Sequence, residues 1–267
     1  MRRIAVIGAG ALSKIFCEQV QKQLSEQYSI VAIMARNIEH ANSLAQTVSA
    51  LPCTTIDQLL SVKPDIVVEF ASRDAVAEYG ETVLKAGCDL VVVSIGALSN
   101  ETLKKRLETA AQEVNRKIYV PNGAVGGLDL MQTFASMGPC KVEIQNTKAP
   151  KSLAGAPYLK DKTLSETEAE ILFEGDVATA INGFPKNVNV AVASALATES
   201  MNTATVCVKS DPETTRNTHC IRLTNDLMQA QLTISSRPDP ANPKSSTSTA
   251  YSVVAHLKNL ASPIQFF

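Results

Sequence analysis

The sequence predicts an α/β protein in which an N-terminal doubly wound parallel sheet is followed by a smaller mixed α/β domain. Three observations carry that expectation. The chain opens on an apolar run that breaks at two glycines and resumes as a helix, and apolar strands then alternate strictly with helical segments as far as Val120. At Pro121–Asp129 the composition changes, with Gly123, Gly126 and Gly127 falling within five residues. The expected domains are therefore 1–121, 122–246, and a C-terminal helix over 247–267 that packs back on the first domain.

In the opening element Ile4-Ala5-Val6-Ile7 is a short buried strand, Gly8-Ala9-Gly10 a turn, and the spacing through Ile15, Phe16 and Val20 a helix reaching about Gln27. Gly8 permits the tight turn. Gly10 lets the backbone approach a pyrophosphate seated on the positive helix N-terminus. The third position of this fingerprint holds Ser13 in place of glycine, which is small enough for close helix-to-strand packing. A bare Gly-x-Gly also occurs in ordinary turns, but strand, turn and helix in this order point to a Rossmann-type dinucleotide site. Gly8, Gly10, Ala11 and Leu12 would face the cofactor. Ser29–Ala35 reads as the second strand, and an NAD-specific site would place Asp or Glu at its end. Arg36-Asn37 stands there instead, and its guanidinium would pair with the 2′-phosphate of NADP, although an exposed Arg after a strand is commonplace. The cofactor is thus NAD or NADP.

Helical periodicity returns from Ile38 to Val48, and Ile56–Leu60 is a short helix after a Thr54-Thr55 cap. Asp65–Ser72 is a buried parallel strand whose carboxyl end, including Ala71, should face the cofactor. A helix over Asp74–Ala86, a strand over Asp89–Ser94, a loop at Ile95–Leu98, a helix over Asn100–Arg116 and a strand at Lys117–Val120 complete the alternation. Beyond the glycines, Leu130–Met137 is helical and Lys141–Thr147 alternates like a strand with one wet face. Lys148–Leu153 reads as a loop, Ser165–Leu172 as a helix, and Thr179–Ser200 as helix broken at Asn182–Asn189. Strands are expected at Thr203–Lys209, Thr218–Leu223 and Leu227–Ser235, then a loop at Ser236–Ser248 and a helix at Ala250–Leu260. The second domain should be a largely antiparallel sheet with helices on one face.

Composition narrows the function. The 267 residues carry 25 basic and 26 acidic side chains without a basic block, so the electrostatic footprint of a nucleic-acid binder is missing and a small-molecule partner is expected. No apolar run approaches membrane-spanning length, and Met1-Arg2-Arg3 leads straight into a strand rather than a signal peptide, which reads as cytoplasmic. Six scattered cysteines without a Cys-x-x-Cys pair suggest reduced thiols and no metal site.

Four segments then carry a family resemblance: Asn122-Gly-Ala-Val-Gly-Gly-Leu-Asp129, Phe184-Pro-Lys-Asn-Val-Asn-Val190, Asn217-Thr-His-Cys-Ile221 and Asn242-Pro-Lys-Ser-Ser246. Together, and in this order, they resemble L-aspartate dehydrogenase across nearly the whole chain. The resemblance implies a Rossmann domain plus a mixed α/β catalytic domain, in a homodimer. The implied reaction is NAD(P)-dependent oxidation of L-aspartate to iminoaspartate, which hydrolyses to oxaloacetate and ammonia or feeds NAD biosynthesis. It also implies that Ala124 and Asn189 touch the nicotinamide cofactor and that His219 is the catalytic acid/base. Ser13 and the missing acidic residue after the second strand depart from the commoner pattern and put NAD preference in doubt.

From the residues alone, His219 stands out by contrast. His40 lies on a charged helical stretch and His256 on an amphipathic terminal helix, both with surface explanations. His219 sits in a polar-flanked strand, either as an acid/base with a pKa near neutrality or as a partly buried ring satisfied by a neighbouring carbonyl. A substrate with two carboxylates needs cationic or amide donors, and Lys151, Arg237 and Lys244 lie in loops of the second domain. Taken singly each reads as a solvated charge; Lys244, in a proline-stiffened loop, is the best placed. Asp176 would position a water or the substrate ammonium, or else cap the helix that follows. Two other classes share these features: another Rossmann imine or dihydrodipicolinate-type reductase, and a non-catalytic NADP-binding sensor.

Overall fold

The computed structural model describes residues 1–160, 162–185, 189–237 and 246–266, which form two compact units, one of 1–121 with 249–267 and one of 122–248. The first unit is a six-stranded parallel sheet in the order β3-β2-β1-β4-β5-β6. Its strands are β1 (Arg2–Ile7), β2 (Tyr28–Met34), β3 (Leu51–Cys53), β4 (Ile66–Glu69), β5 (Asp89–Val92) and β6 (Ile118–Tyr119). Between them run α1 (Ala11–Leu24), α2 (Ile38–Val48), α3 (Ile56–Ser61), α4 (Arg73–Lys85) and α5 (Glu101–Glu113). The strand order reverses around β1 and β4, which puts the topological switch point at the Gly8 turn.

The apolar runs form strands because both sheet faces are covered: Ile4, Ala5, Val6, Ile66, Val67 and Val68 are all fully buried. The helices begin where side chains satisfy their first amides. Asn37 accepts from Glu39 N, Thr55 from Gln58 N, Ser72 from Ala75 N and Asn100 from Leu103 N. Helix α1 stops at Leu24, a turn earlier than its periodicity suggests, and Ile95–Ser99 winds into a 3-10 turn where a loop was expected. β3 carries no sequence signal. It is a three-residue edge strand with Pro52 at its centre, a position tolerated because the missing N–H faces no neighbour.

The C-terminal helix, Ser248–Ala261, buries Ala250, Val253, Val254 and Leu257 in the same core as Ile4, Phe16, Val20 and Ile66. Fully burying Val253 and Leu257 contributes about 1.5–3 kcal/mol each. The Tyr28 hydroxyl adds a bond to Leu257 O at 2.9 Å. His256 is not the surface residue its amphipathic helix suggested. Its ring lies 4.6 Å from that of Tyr119, and burial pulls its pKa down.

The second unit holds a five-stranded sheet, order β11-β10-β7-β9-β8. Its strands are β7 (Lys141–Lys148), β8 (Glu170–Asp176), β9 (Thr205–Ser210), β10 (Asn217–Thr224) and β11 (Gln229–Ser236). Only β7 and β9 pair in parallel; the other pairings are antiparallel. Its helices are α6 (Leu128–Ser136), α7 (Pro150–Leu153), α8 (Val177–Gly183) and α9 (Asn189–Ala197), so the C-terminal helix is α10.

Two sequence expectations fail here. The helix placed at Ser165–Leu172 is instead a turn running into β8. The Ser165 hydroxyl accepts from Thr167 N and Glu168 N, Glu170 Oε1 accepts from Ser165 N, and the following residues pair with β9. Tertiary pairing overrides a local helical spacing. Lys148 likewise belongs to β7 rather than to a loop, and α7 occupies part of that expected loop.

Candidate active site

In the first unit the site is built at the carboxyl ends of β1 and β4. Gly8 has φ +111°, and a Cβ there would stand 3.0 Å from the Phe70 carbonyl carbon and 3.2 Å from Ala71 N. Only glycine lets the turn lie this close to the end of β4. Gly10 is different. Its backbone is extended (φ −83°, ψ −171°), it caps α1 without any side-chain bond, and a Cβ there would meet nothing within 4 Å. The open space above it, beside helix amides that no side chain caps, fits the pyrophosphate of NAD or NADP. Ser13 is wholly buried beneath the turn, so the small third residue of the fingerprint serves the packing role expected of it.

The loops around this turn are tied by Glu69, which sequence reading left as an ordinary strand residue. Its buried carboxylate accepts from Ala71 N at 2.7 Å, and from Ser94 N and Ser94 Oγ at 2.9 Å each. Burial raises its pKa while those donors oppose the rise. A single acid inside the run Ile66–Phe70 was the available signal. Ala11 and Leu12 are half-buried at the start of α1, Ala71 is exposed beyond β4, and Arg36 is exposed just beyond β2.

In the second unit one face of the sheet is apolar along most of its length and polar at one end. The register places Leu232, Ile221, Ile144 and Val206 in one row across β11, β10, β7 and β9. The next row is Ile234, His219, Asn146 and Val208. One step further along the same face come Ser236 and Asn217, then Lys148 and Ser210. His219, Asn146, Lys148 and Asn217 are each at most 4% exposed.

The His219 Nδ1 lies 2.6 Å from Asn146 Oδ1. With the amide oxygen facing the ring, Nδ1 carries the hydrogen and donates it, and Nε2 keeps its lone pair. The neighbouring carbonyl is therefore that of a side-chain amide. Burial first, and the Lys148 ammonium second, push the imidazole down to about 3, far from the near-neutral value the sequence suggested. Lys148 itself is pulled down to about 8 by burial.

The remaining candidates are spread through the unit. Ala124 is half-buried in the turn after Gly123, and Asn189 is exposed at the first position of α9. Gly127 has φ +70°, a conformation that favours glycine, and a Cβ there would displace the end of the Leu232 side chain on a neighbouring strand. Asp176 is an exposed N-cap of α8 whose carboxylate accepts from Thr179 N at 2.8 Å and Thr179 Oγ1 at 2.9 Å. Lys151 is exposed and lines a cleft of about 470 Å³ with Ser152, Glu166, Arg216 and Asn217. Arg237 is exposed beyond β11. Lys244, with most of the Asn242–Ser246 motif, and Lys186–Val188 lie outside the described residues.

A reversal point fitted to a pyrophosphate, followed by a mixed-sheet unit holding a buried imidazole, defines a nicotinamide-dinucleotide-dependent oxidoreductase of Rossmann type. Comparison with known proteins makes the class specific. Residues 129–260 match the aspartate dehydrogenase C-terminal family, and residues 8–121 match the homoserine dehydrogenase NAD-binding domain. L-aspartate dehydrogenase of Methanocaldococcus jannaschii is 34% identical over 266 residues, covering 99% of both chains. That of Serratia proteamaculans is 34% identical over 262 residues, covering 97% of each. The crystal structure of aspartate dehydrogenase from Thermotoga maritima superposes over 100% of both chains with a TM-score of 0.78 at 25% identity. The chain belongs to the aspartate dehydrogenase family.

Proposed function

We propose that this enzyme oxidises L-aspartate with NAD or NADP to iminoaspartate, which water converts to oxaloacetate and ammonia. The observation that carries the reading is the buried His219–Asn146 pair, set on the polar end of the second sheet in a chain of this family. The bound nicotinamide supplies the acceptor for the hydride that leaves Cα of the amino acid. The protein's own work is to bind, orient and move protons. Gly8, Gly10, Ala11 and Leu12 hold the dinucleotide at the head of α1, with Arg36 beside the adenosine ribose and Ala71, Ala124 and Asn189 as further cofactor contacts.

His219 takes the proton that the substrate ammonium must lose before its nitrogen lone pair can form the C=N bond. Neutral at pH 7, the ring is in the form that accepts. The Nδ1 bond to Asn146 fixes the tautomer and aims Nε2 as the accepting atom. Once that proton has passed to solvent, the same nitrogen takes one from the water that attacks the imine carbon, and returns it to the departing nitrogen as ammonia leaves. Lys151 and Lys244 are further candidates for the substrate carboxylates, while the Thr179 bonds favour a capping role for Asp176.

We place the enzyme in the cytoplasm as a homodimer whose iminoaspartate serves NAD biosynthesis, by analogy with the family. No helix among the described residues is long and apolar enough to cross a membrane. The test is a nicotinamide fluorescence assay against a panel of amino acids and 2-hydroxy acids with both cofactors. Turnover confined to L-aspartate supports the assignment; preference for another substrate, or tight cofactor binding without any turnover, overturns it.

A further inference from the structure

The polar row beside His219 contains a group for which the proton-transfer account has no use. Lys148 shares strand parity with Val142, Ile144 and Asn146, so it lies on the dry face of β7, and it is 4% exposed. A lysine buried beside an imidazole sets the local charge that an incoming group meets. Buried polar atoms without hydrogen-bond partners among the described residues include Asn146 Nδ2, Ser210 Oγ and Ser236 Oγ on this sheet and Ser152 Oγ on α7. Ser210 is the register partner of Lys148, Asn146 precedes it on the same face, and Ser236 pairs with Asn217 in the same row. An amide N–H₂ and hydroxyls without acceptors, on the sheet that also carries the ammonium, make a donor-rich surface suited to an acceptor with several lone pairs.

We propose that Lys148 is a substrate-binding residue whose ammonium, with Asn146 Nδ2, receives a carboxylate of the dicarboxylic substrate beside His219. The inference rests on aspartate being the substrate and His219 the base. In the free enzyme burial first, and the Lys148 charge second, keep His219 from taking a proton. A carboxylate seated on the ammonium offsets the second of these, so the ring is a better base when substrate is present.

Among the described residues Asp211, at the end of β9, donates its N–H to Lys148 O at 2.9 Å while its carboxylate pairs with Lys209 at 3.7 Å. On β7 and β10, Glu143 and Arg222 have the opposite parity and so lie on the other face, as does Lys209 on β9. β11 and α9 carry no titratable side chain. α6 carries only the exposed Asp129 and α7 the exposed Lys151, while Arg216 and Glu166 are exposed along the neighbouring cleft.

The experiment uses the full-length enzyme saturated with NADH, and succinate as an unreactive dicarboxylate. Succinate affinity is measured by calorimetry, and the His219 protonation state by NMR of isotope-labelled histidine, in wild type, Lys148→Met and Lys148→Arg. Loss of a charge-assisted contact should weaken succinate, and raise KM for aspartate, by about 10- to 100-fold in Lys148→Met while the NADH dissociation constant stays within about threefold. Lys148→Arg, which keeps the charge, should recover much of the succinate affinity. The His219 pKa should rise when succinate binds wild type, and in Lys148→Met should start higher and respond little.

Succinate binding and KM unchanged in a folded Lys148→Met, with wild type turning over aspartate, would overturn this inference alone. Wild type that neither binds succinate nor oxidises aspartate would overturn the functional reading as well. Should Lys148→Met fail to fold, the Arg variant decides: near-normal succinate affinity supports the charge, and complete loss in a folded, NADH-binding protein contradicts it.

Discussion

Gly8 and Gly10 stand two residues apart in the same turn, yet replacing each with alanine should have opposite consequences. At Gly8 the backbone sits at φ +111°, and a methyl group would stand 3.0–3.2 Å from backbone atoms of Phe70 and Ala71, neither of which can swing aside. A conformation of this kind costs a non-glycine residue about 1–3 kcal/mol, and forcing β1 and β4 apart adds to it, so Gly8→Ala should destabilise the first unit by at least about 2 kcal/mol. At Gly10 the backbone is one any residue adopts, and a Cβ meets nothing within 4 Å. Gly10→Ala should therefore fold as well as wild type, or gain about 0.4–1 kcal/mol from a less flexible unfolded chain. Its methyl group would, however, occupy the space assigned to the pyrophosphate, and loss of one close phosphate approach should weaken NADH by about tenfold or more. Thermal unfolding followed by circular dichroism and NADH fluorescence titration separate the two effects. Normal NADH affinity in folded Gly10→Ala would refute the placement of the pyrophosphate, and an undiminished melting temperature in Gly8→Ala would refute the steric argument.

Other substitutions probe the remaining assignments. NADP should bind at least as well as NAD, and Arg36→Ala should lose NADP affinity selectively; titration of both cofactors into both proteins checks this, and an equal loss for the two would contradict it. Lys148 is held at about 8 in the folded protein against 10.5 unfolded, so the unfolded state binds more protons between those values and wild-type stability should climb as pH rises through them. Thermal unfolding of wild type between about pH 8 and 10.5 checks this, and a melting temperature that falls across the Lys148 titration would refute the argument. Because His219 is held near 3 in the free enzyme, the kcat/KM profile should lack an acid limb near 6.5, and a limb at that pH that vanishes in His219→Ala would show the ring to be far less suppressed.

Most of the parallel unit is legible in the chain because both faces of its sheet are buried. Runs such as Ile66-Val67-Val68 are apolar throughout, and α2 begins and ends where its pattern and the Asn37 cap say it should. β3 is not legible, since three residues around a proline carry no period and exist only as an edge partner of β2. Nor is β8, whose residues follow a helix-like spacing until β9 pairs with them.

The polar end of the second sheet falls between these cases. His219 stands out by elimination, but Asn146 and Lys148 pass for a wet face and a loop because polar residues are expected outside. Their parity with Val142 and Ile144 was there to be read: alternation carried to the end of the strand puts both on the dry face. The depressed His219 pKa, in turn, depends on burial and on a lysine brought beside it by pairing between distant strands, which no local pattern reveals.

The account turns on His219 as the group that moves protons, and it is tested most directly by turnover and cofactor affinity measured together in His219→Ala, with His219→Gln as a second variant of closer size. The account predicts a fall in kcat of about 10²- to 10⁴-fold with an NADH dissociation constant nearly unchanged, since the dinucleotide is assigned to the Gly8–Leu12 turn of the other unit. Near-normal turnover in either folded variant would contradict it and send the search for the base to the remaining polar side chains of the second sheet.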